Sequence, residues 1–392
     1  MPLGLYISVP FCRTKCSYCN FASDVFSRAV FENYTTRICG EVEQTSETAR
    51  QLGGVTESTV NSIYFGGGTP TLLDVQQLQR VFVTIRQNFE VVPEAEVTVE
   101  CAPGTLSQEM VEALVRCGVN RVSLGVQPFV DKEAAAVGRL HKCSTVMDEI
   151  ARLRSSGITN INIDLIAGLP YQSRESWETS LEQLISIDAP HASIYMLEVD
   201  EDSRLGREVL AGGRKYHAHF VPDEDLTADF YEIACERLDA AGIQQYEISN
   251  FARTGHQSKH NLKYWTRQPY VGFGVDAHSM LLSSGHGAVR FSNPDSLDKY
   301  LAGAAKEHTF VDAEYALQET FFLGLRLNAG VDLDAIVREF GEGVALTYSD
   351  TISELATGGL LQQEGSTIRL TPKGRLLSNE VFERFISEKL AV

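Results

Sequence analysis

The chain has 392 residues, 43% of them hydrophobic, and a formal net charge of −18. This length suggests about two or three domains with a sizeable core. The acidic excess argues against general nucleic-acid binding, which needs clustered Lys and Arg. No apolar run approaches the roughly 18–20 residues of a membrane-spanning helix. Eight scattered cysteines and a first segment unlike a signal peptide lead us to expect a cytoplasmic protein.

Short apolar segments followed by helical periods alternate through the first half of the chain. Strands are predicted at 5–9, 62–65, 96–100, 121–126, 160–166 and 192–197. Helices are predicted near 26–50, 73–89, 107–116, 144–155 and 174–187. This alternation predicts an α/β fold in which a parallel sheet curls into a full or partial (β/α)6 TIM-like barrel, with its chemistry at the carboxyl ends of the strands.

Three cysteines on one short loop after the first predicted strand are the strongest chemical signal. Cys12, Cys16 and Cys19 form a CxxxCxxC triplet. Iron–sulfur clusters are ordinarily held by four thiolates, so three leave one iron of a [4Fe–4S] cluster open to another ligand. A zinc site would favour a CxxC pair joined to a second pair at a distance. The triplet therefore favours a cluster, and the five other cysteines show no ligand spacing.

Glycines and polar residues stand where several predicted strands end. Gly66-Gly-Gly-Thr-Pro70 follows the second strand, where a ligand contact and a tight turn are both compatible with the glycines. Glu100 ends the third strand, Gln127 follows the fourth and Asp164 lies within the fifth. Arg139 follows the fourth strand in the chain. An unpaired buried carboxylate is unfavourable, so Asp164 needs either a ligand or a salt bridge inside the barrel.

The cysteine triplet followed by GGGTP resembles the radical S-adenosylmethionine superfamily. Segments that begin Arg121-Val-Ser-Leu, Asn162-Ile-Asp-Leu and Tyr246-Glu-Ile-Ser resemble its oxygen-independent coproporphyrinogen oxidase branch, and the resemblance covers essentially the whole chain. It implies a [4Fe–4S] cluster on the three cysteines, S-adenosylmethionine on the open iron, and an electron donor. One electron would then cleave the cofactor to methionine and a 5′-deoxyadenosyl radical.

The same resemblance implies which residues contact S-adenosylmethionine. Those at positions that contact the first molecule are Tyr6, Gly67, Gly68, Thr69 and Glu100. Those at positions where the oxidase contacts its two bound molecules are Tyr18, Gln127, Arg139 and Asp164. The sequence leaves open whether a second molecule binds here.

One position separates the oxidases from a neighbouring branch. The oxidases resemble CxxxCxxCxC after a long N-terminal extension, whereas Phe21 stands here in place of the fourth cysteine and Cys12 is near the start. Both features resemble the HemW family of heme chaperones, which implies binding of heme and its transfer to acceptor hemoproteins, including acceptors at a membrane surface. The alternative is an oxidase that decarboxylates two propionates of coproporphyrinogen III to give protoporphyrinogen IX. Whether the chain is an enzyme is left open.

The segment His260-Asn-Leu-Lys-Tyr-Trp265 is a second signature of that family. His is the commonest axial ligand of heme iron, and the aromatic residues offer flat surface to a macrocycle. The resemblance therefore makes His260 the first candidate for a heme ligand. The alternative is a structural, hydrogen-bonded histidine. His278, in a glycine-containing segment, is the second candidate.

The predicted division is a radical S-adenosylmethionine core over 1–225, an extension over 226–308 and a small C-terminal domain over 309–392. In the last domain, helices are predicted at 333–340, 344–355 and 374–385 and a strand at 367–370. This order resembles a winged-helix-like tail. Its acidic surface favours protein or substrate over DNA. A homodimer is left open by the sequence.

Overall fold

The computed structural model describes residues 1–283, 287–341, 343 and 346–386. Six strands at its centre pair side by side in chain order: β1 (Leu3–Val9), β2 (Thr59–Gly67), β3 (Glu90–Cys101), β4 (Arg121–Gln127), β5 (Asn160–Ala167) and β6 (His191–Met196). Every neighbouring pair among them is parallel. The predicted six-stranded parallel sheet is therefore confirmed.

Helices connect these strands, as the 3.6-residue apolar periods predict. They are α1 (Phe31–Glu43), α2 (Thr45–Gln51), α3 (Val75–Asn88), α4 (Gln108–Arg116), α5 (Asp131–Ala136), α6 (Cys143–Ser155) and α7 (Arg174–Ser186), with 3-10 turns at Arg28–Val30 and Pro70–Leu72. The predicted helix over 26–50 is two helices, α1 and α2. The sequence did not predict α5, because six residues are too few to show a helical period.

The sheet continues past both ends of its parallel centre, which the sequence did not predict. The further elements are α8 (Arg204–Leu210), a 3-10 segment (Lys215–Phe220), α9 (Glu224–Ala240), β7 (Gln244–Gln245), β8 (Asn250–Ala252), α10 (Lys259–Trp265), β9 (Tyr270–Phe273), β10 (His278–Leu282), β11 (Ala288–Ser292), α11 (Leu297–Leu301) and β12 (Glu307–Val311). The order is β12-β11-β10-β9-β1-β2-β3-β4-β5-β6-β8-β7, so the described sheet is open. Strands of two to five residues carry too little periodicity to be recognised.

Helix α10 connects strands that lie at opposite edges of the parallel centre. It follows β8, which pairs with β6, and precedes β9, which pairs in parallel with β1. The buried carboxylate of Glu96 on β3 holds the start of this helix. It accepts hydrogen bonds from the amides of Lys259 and His260, each at 3.0 Å, and from the Ser258 hydroxyl at 3.3 Å. These three donors offset the unfavourable burial of the charge.

The C-terminal unit has its own small sheet and core. Its elements are α12 (Ala313–Gly324), β13 (Val331–Asp332), α13 (Leu333–Phe340), a 3-10 turn (Leu346–Tyr348), α14 (Ser349–Thr357), β14 (Leu361–Glu364), β15 (Thr367–Leu370), α15 (Pro372–Leu376) and α16 (Ser378–Glu383). The antiparallel order β13-β15-β14 makes a three-stranded sheet. Leu317, Phe321 and Ile336 belong to a separate apolar core.

The predicted C-terminal elements are largely present. The strand at 367–370 is β15, and the helix at 333–340 is α13. The helix expected over 374–385 is two short helices, α15 and α16. That expected over 344–355 starts outside the described residues and overlaps α14. The division at 226 and 309 stays a prediction, and β12 of the large sheet runs on to Val311. Within the described ranges, no helix is long and apolar enough to cross a membrane.

Replacing Glu96 tests the anchor of α10. In Glu96→Ala the three donors lose their buried acceptor, so we expect the free energy of unfolding to fall by about 1–3 kcal/mol. Glu94→Ala, on the same strand but exposed, is the matched control. Denaturant unfolding followed by circular dichroism measures both. Equal free energies of unfolding for the two variants would contradict the role of Glu96 as the anchor of α10.

Candidate functional site

A cavity of about 610 Å³ opens at the carboxyl ends of the parallel strands. Its lining includes the three cysteines of the triplet and every predicted S-adenosylmethionine residue except Tyr6. These residues are Cys12, Cys16, Cys19, Tyr18, Gly67, Gly68, Thr69, Glu100, Gln127, Arg139 and Asp164. Residues from separate βα units thus meet at one cavity, as the strand-end rule predicts.

The cysteine loop between β1 and α1 is held by hydrogen bonds that do not involve its thiols. The Lys15 ammonium donates to the carbonyls of Phe21 and Ser23, both at 2.7 Å, and so closes the loop on itself. The Ser17 amide donates to the Val137 carbonyl at 3.1 Å, which ties the loop to the segment after β4. The three thiols form no disulfide and are half-buried, and the Cys19 Sγ lies 3.9 Å from the Ser23 hydroxyl.

Burial changes the proton affinity of one thiol of the triplet. Burial raises the pKa of the Cys12 thiol above its usual 9.0, with the nearby Cys19 and Cys16 acting in the same direction and a hydrogen bond with Ser23 opposing them. Such a thiol is protonated at neutral pH until a metal replaces its proton. Among the described residues, no three His, Cys, Asp or Glu side chains converge on a single metal ion. A [4Fe–4S] cluster requires no such convergence, because each thiolate binds a different iron.

The GGGTP motif packs against the start of the cysteine loop. The Gly68 amide donates to the Val9 carbonyl and the Thr69 amide to the Phe11 carbonyl, both at 2.8 Å. A Cβ on Gly68 would lie 2.7 Å from the Phe11 oxygen, closer than real Cβ contacts. Gly67 has a φ of +99°, which favours glycine. The close approach of the two segments therefore requires glycine here, whether or not a ligand is present.

Two carboxylates face the cavity with unusual proton affinity. Burial raises the pKa of Glu100 to about 7, and the charge of Asp164 contributes in the same direction. The Tyr64 hydroxyl donates to Glu100 at 2.7 Å and opposes this shift. Burial also raises the pKa of Asp164, although Ser123 and Asn162 donate to it at 2.8 and 2.7 Å. Both carboxylates would therefore gain from a cationic ligand.

Several buried polar atoms in the cavity wall have no partner in the part of the chain that the structure describes. They are Gln127 Oε1, Arg139 Nε and Arg121 Nε. Gln127 has a φ of 72°, uncommon for a residue with a side chain. A Cβ on Gly125 would lie 2.9 Å from the Arg139 guanidinium, so glycine lets that group lie against the strand. Since buried polar atoms without partners are unfavourable, this wall fits a polar ligand.

His260 lies beside the cavity but does not line it. Its side chain is 1% exposed, with Nδ1 3.0 Å from the Ser62 hydroxyl and Nε2 2.8 Å from the Tyr264 hydroxyl. Burial, followed by the charges of Lys263 and Arg121, lowers its pKa to about 3. Coordination of heme iron would require one of the two hydrogen bonds to break. Its role as a heme ligand stays a prediction.

Aromatic rings join His260 to the cavity wall. The Tyr64 ring stacks on His260 with centroids 5.3 Å apart, and Tyr6 stacks on Tyr64 at 6.1 Å. Tyr6, predicted to contact S-adenosylmethionine, therefore lies behind Tyr64. The second heme candidate, His278, is exposed and lies 3.8 Å from the Asp276 carboxylate.

The sequence did not predict several residues of the cavity lining. They are Tyr64, Arg121, Asn162 and Ser193. Arg121 was recognisable, because a charged residue on an otherwise apolar buried strand needs a partner. Asn162 donates to the hydroxyls of Ser123 and Ser193 at 2.8 and 3.0 Å. The sequence does not reveal such a hydrogen-bond network, because polar residues on strands are more often exposed to solvent than bonded to one another in the interior.

Comparison with known proteins gives the class. Residues 6–184 match the Radical SAM superfamily, and residues 311–377 match the HemN C-terminal domain. The structure of coproporphyrinogen III oxidase (HemN) from Escherichia coli, a radical SAM enzyme, superposes with a TM-score of 0.84. The match covers 98% of this chain and 90% of that chain at 24% identity, and shows a shared fold. The chain is a radical SAM protein, a class that implies a [4Fe–4S] cluster and S-adenosylmethionine.

Full-length relatives give the family. The chain is 34% identical to the heme chaperone HemW of Bacillus subtilis, over 98% of this chain and 99% of the relative. It is 30% identical to that of Escherichia coli K12, over 99% of both chains, and 31% identical to that of Mycobacterium tuberculosis H37Rv, over 97% and 94%. The chain belongs to the HemW family, as its sequence predicts.

The raised pKa of Glu100 predicts a pH dependence of stability. The folded chain keeps a proton on this carboxyl up to about pH 7, whereas the unfolded chain releases it near the ordinary value of 4.5. Glu100 therefore stabilises the fold below pH 4.5, and this contribution is lost as the pH rises to 7. Glu100→Gln cannot titrate, so we expect its stability relative to wild type to increase from pH 5 to pH 8.

Anaerobic denaturant unfolding at intervals across this range measures the difference. Glu112→Gln, at an exposed helix position, is the control and should give a constant difference. A constant difference for Glu100→Gln as well would contradict the raised pKa.

Proposed function

We propose that this chain is a heme chaperone that binds heme together with a [4Fe–4S] cluster and S-adenosylmethionine, and transfers heme to acceptor hemoproteins. The observation that carries the proposal is Phe21, whose side chain is 66% exposed at the cavity lining, where an oxidase would have its fourth cysteine. The full-length relatives named as heme chaperones support it.

Within this proposal, Cys12, Cys16 and Cys19 hold the cluster and the cavity holds S-adenosylmethionine. Ionised Glu100 accepts hydrogen bonds from the ligand's ammonium or ribose hydroxyls. Arg139 and Gln127, whose buried Nε and Oε1 atoms lack partners in the described chain, bind the ligand's carboxylate and polar edge. When bound and reduced, the cluster supplies the electron for reductive cleavage of the sulfonium.

The proposed setting is the cytoplasm, with acceptors there or at the membrane surface. All eight cysteines are free thiols, which a reducing compartment maintains. The proposal also includes an electron donor for the cluster. The net charge of −18 supports protein partners over nucleic acid.

The alternative, coproporphyrinogen III oxidation, is disfavoured by the exposed phenyl ring of Phe21. A phenyl group cannot take the place of the thiol that the oxidases have at this position. It does offer apolar surface to a porphyrin at the rim. The likeness to the oxidase at 24% identity concerns the fold and does not carry its reaction to this chain.

One pair of assays separates the two functions. Anaerobically reconstituted protein mixed with hemin should gain a Soret band and pass that heme to an apo-hemoprotein separated from it by a tag. The same protein with coproporphyrinogen III, S-adenosylmethionine and a reductant should form no protoporphyrinogen. Turnover without heme transfer would overturn the chaperone proposal.

A further inference from the structure

The segment Arg214–Phe220 has a composition unlike the rest of this acidic chain. It reads Arg-Lys-Tyr-His-Ala-His-Phe, with two cations, two aromatic rings and two imidazoles in seven residues. All but Ala218 are exposed, including Tyr216 at 39% and Phe220 at 45%. Exposed aromatic side chains gathered in this way are typical of a binding surface.

The backbone of this segment adopts an unfavourable conformation. Tyr216 and His217 have φ values of 54° and 60°, so two consecutive residues with side chains are left-handed. Such conformations persist only where the surroundings impose them, and they concentrate at functional sites. Here the Tyr171 hydroxyl lies 2.9 Å from Nδ1 of His217, and the Tyr171 amide donates to the Phe220 carbonyl at 3.0 Å. The surrounding contacts thus hold the segment in its presented form.

The two imidazoles differ in what surrounds them. His217 is engaged by Tyr171, whereas neither ring nitrogen of His219 has a hydrogen-bond partner within the described chain. The His219 ring is exposed and packs against the Phe220 ring with centroids 4.1 Å apart and the ring planes tilted by 39°. An accessible imidazole beside an aromatic ring is a suitable axial ligand for heme iron. His260, in contrast, is buried with both nitrogens engaged.

The segment lies next to the cysteine loop. The Arg204 guanidinium stacks on the Tyr216 ring at 5.5 Å and also donates to the Lys15 carbonyl of that loop. The Leu205 amide donates to the Ser17 carbonyl at 2.7 Å. Helix α8 therefore contacts both the cysteine loop and the Tyr216 ring of the segment.

We infer that Arg214–Phe220 is a heme-docking site in which His219 ligates the iron, the aromatic side chains contact the macrocycle, and Arg214 and Lys215 pair with the two propionates. This inference rests on the proposed function, since it assigns the heme to a site. Lys215 is 80% exposed and only loosely paired, with Glu208 at 3.9 Å, so it is available to a propionate. The two cations match the charge of the two heme carboxylates.

The test is a hemin titration of the reconstituted full chain, followed by the Soret band. His219→Ala should weaken hemin binding by about tenfold or more and alter the band, because the iron loses its ligand. Free imidazole should restore the band of His219→Gly, a rescue that a merely structural residue would not give. His308→Ala, an exposed histidine on β12, is the matched control and should bind as wild type does.

The propionate contacts are tested with a second probe. The double variant Arg214→Gln, Lys215→Gln should weaken binding of hemin but leave binding of hemin dimethyl ester unchanged, because the ester carries no carboxylates. Failure of the wild type to bind hemin would overturn the proposed function itself. If His219→Ala binds hemin as tightly as wild type does, or if only His260→Ala loses hemin binding, this site is wrong and the chaperone function still stands. Unchanged S-adenosylmethionine binding by every variant verifies folding.

Discussion

The carboxylate of Glu96 fixes the position on which the rest of the site depends. By accepting hydrogen bonds from Ser258 and from the first amides of α10, it holds that helix against β2 and β3. Strands β1 and β6 are the two edges of the parallel centre. The chain leaves β8, which pairs with β6, and must cross to the other edge before it forms β9, which pairs with β1. Three hydrogen bonds to one buried carboxylate are strong and directional, so they hold the start of α10 in one position. Strands β9–β12 and the C-terminal unit come after this helix in the chain.

From this anchor a row of contacts leads to the cavity. The ring of His260 stacks on Tyr64, whose hydroxyl donates to Glu100 in the cavity wall. The histidine of the family signature is therefore positioned to orient a cavity residue. The helix that carries HNLKYW thus supports the wall of the cavity through Tyr64, whereas the heme-docking segment proposed above, Arg214–Phe220, is separate from this helix and exposed. The separation would allow heme to be passed on without disturbing the buried core.

The sequence predicted the parts of this structure that repeat or that carry covalent chemistry. Six apolar segments identified the parallel strands, and Cys12, Cys16 and Cys19 identified the loop at the cavity. It did not predict β7–β12, because strands of two to five residues are too short to show an alternating pattern. It did not predict Tyr64 and Arg121 in the cavity, because their partners come from other strands. The segment 214–220 was missed because accessibility and backbone strain are properties of the folded chain alone.

The central claim is that the cavity brings S-adenosylmethionine to the open iron of a cluster held by the three cysteines. Low-temperature electron paramagnetic resonance of the reduced, reconstituted chain tests it most directly, with and without S-adenosylmethionine. We expect a [4Fe–4S]⁺ signal whose g values shift when the ligand is added, because its amino and carboxylate groups bind the open iron. A cluster signal that is identical in both samples, or absent from wild-type protein after reconstitution, would contradict the account.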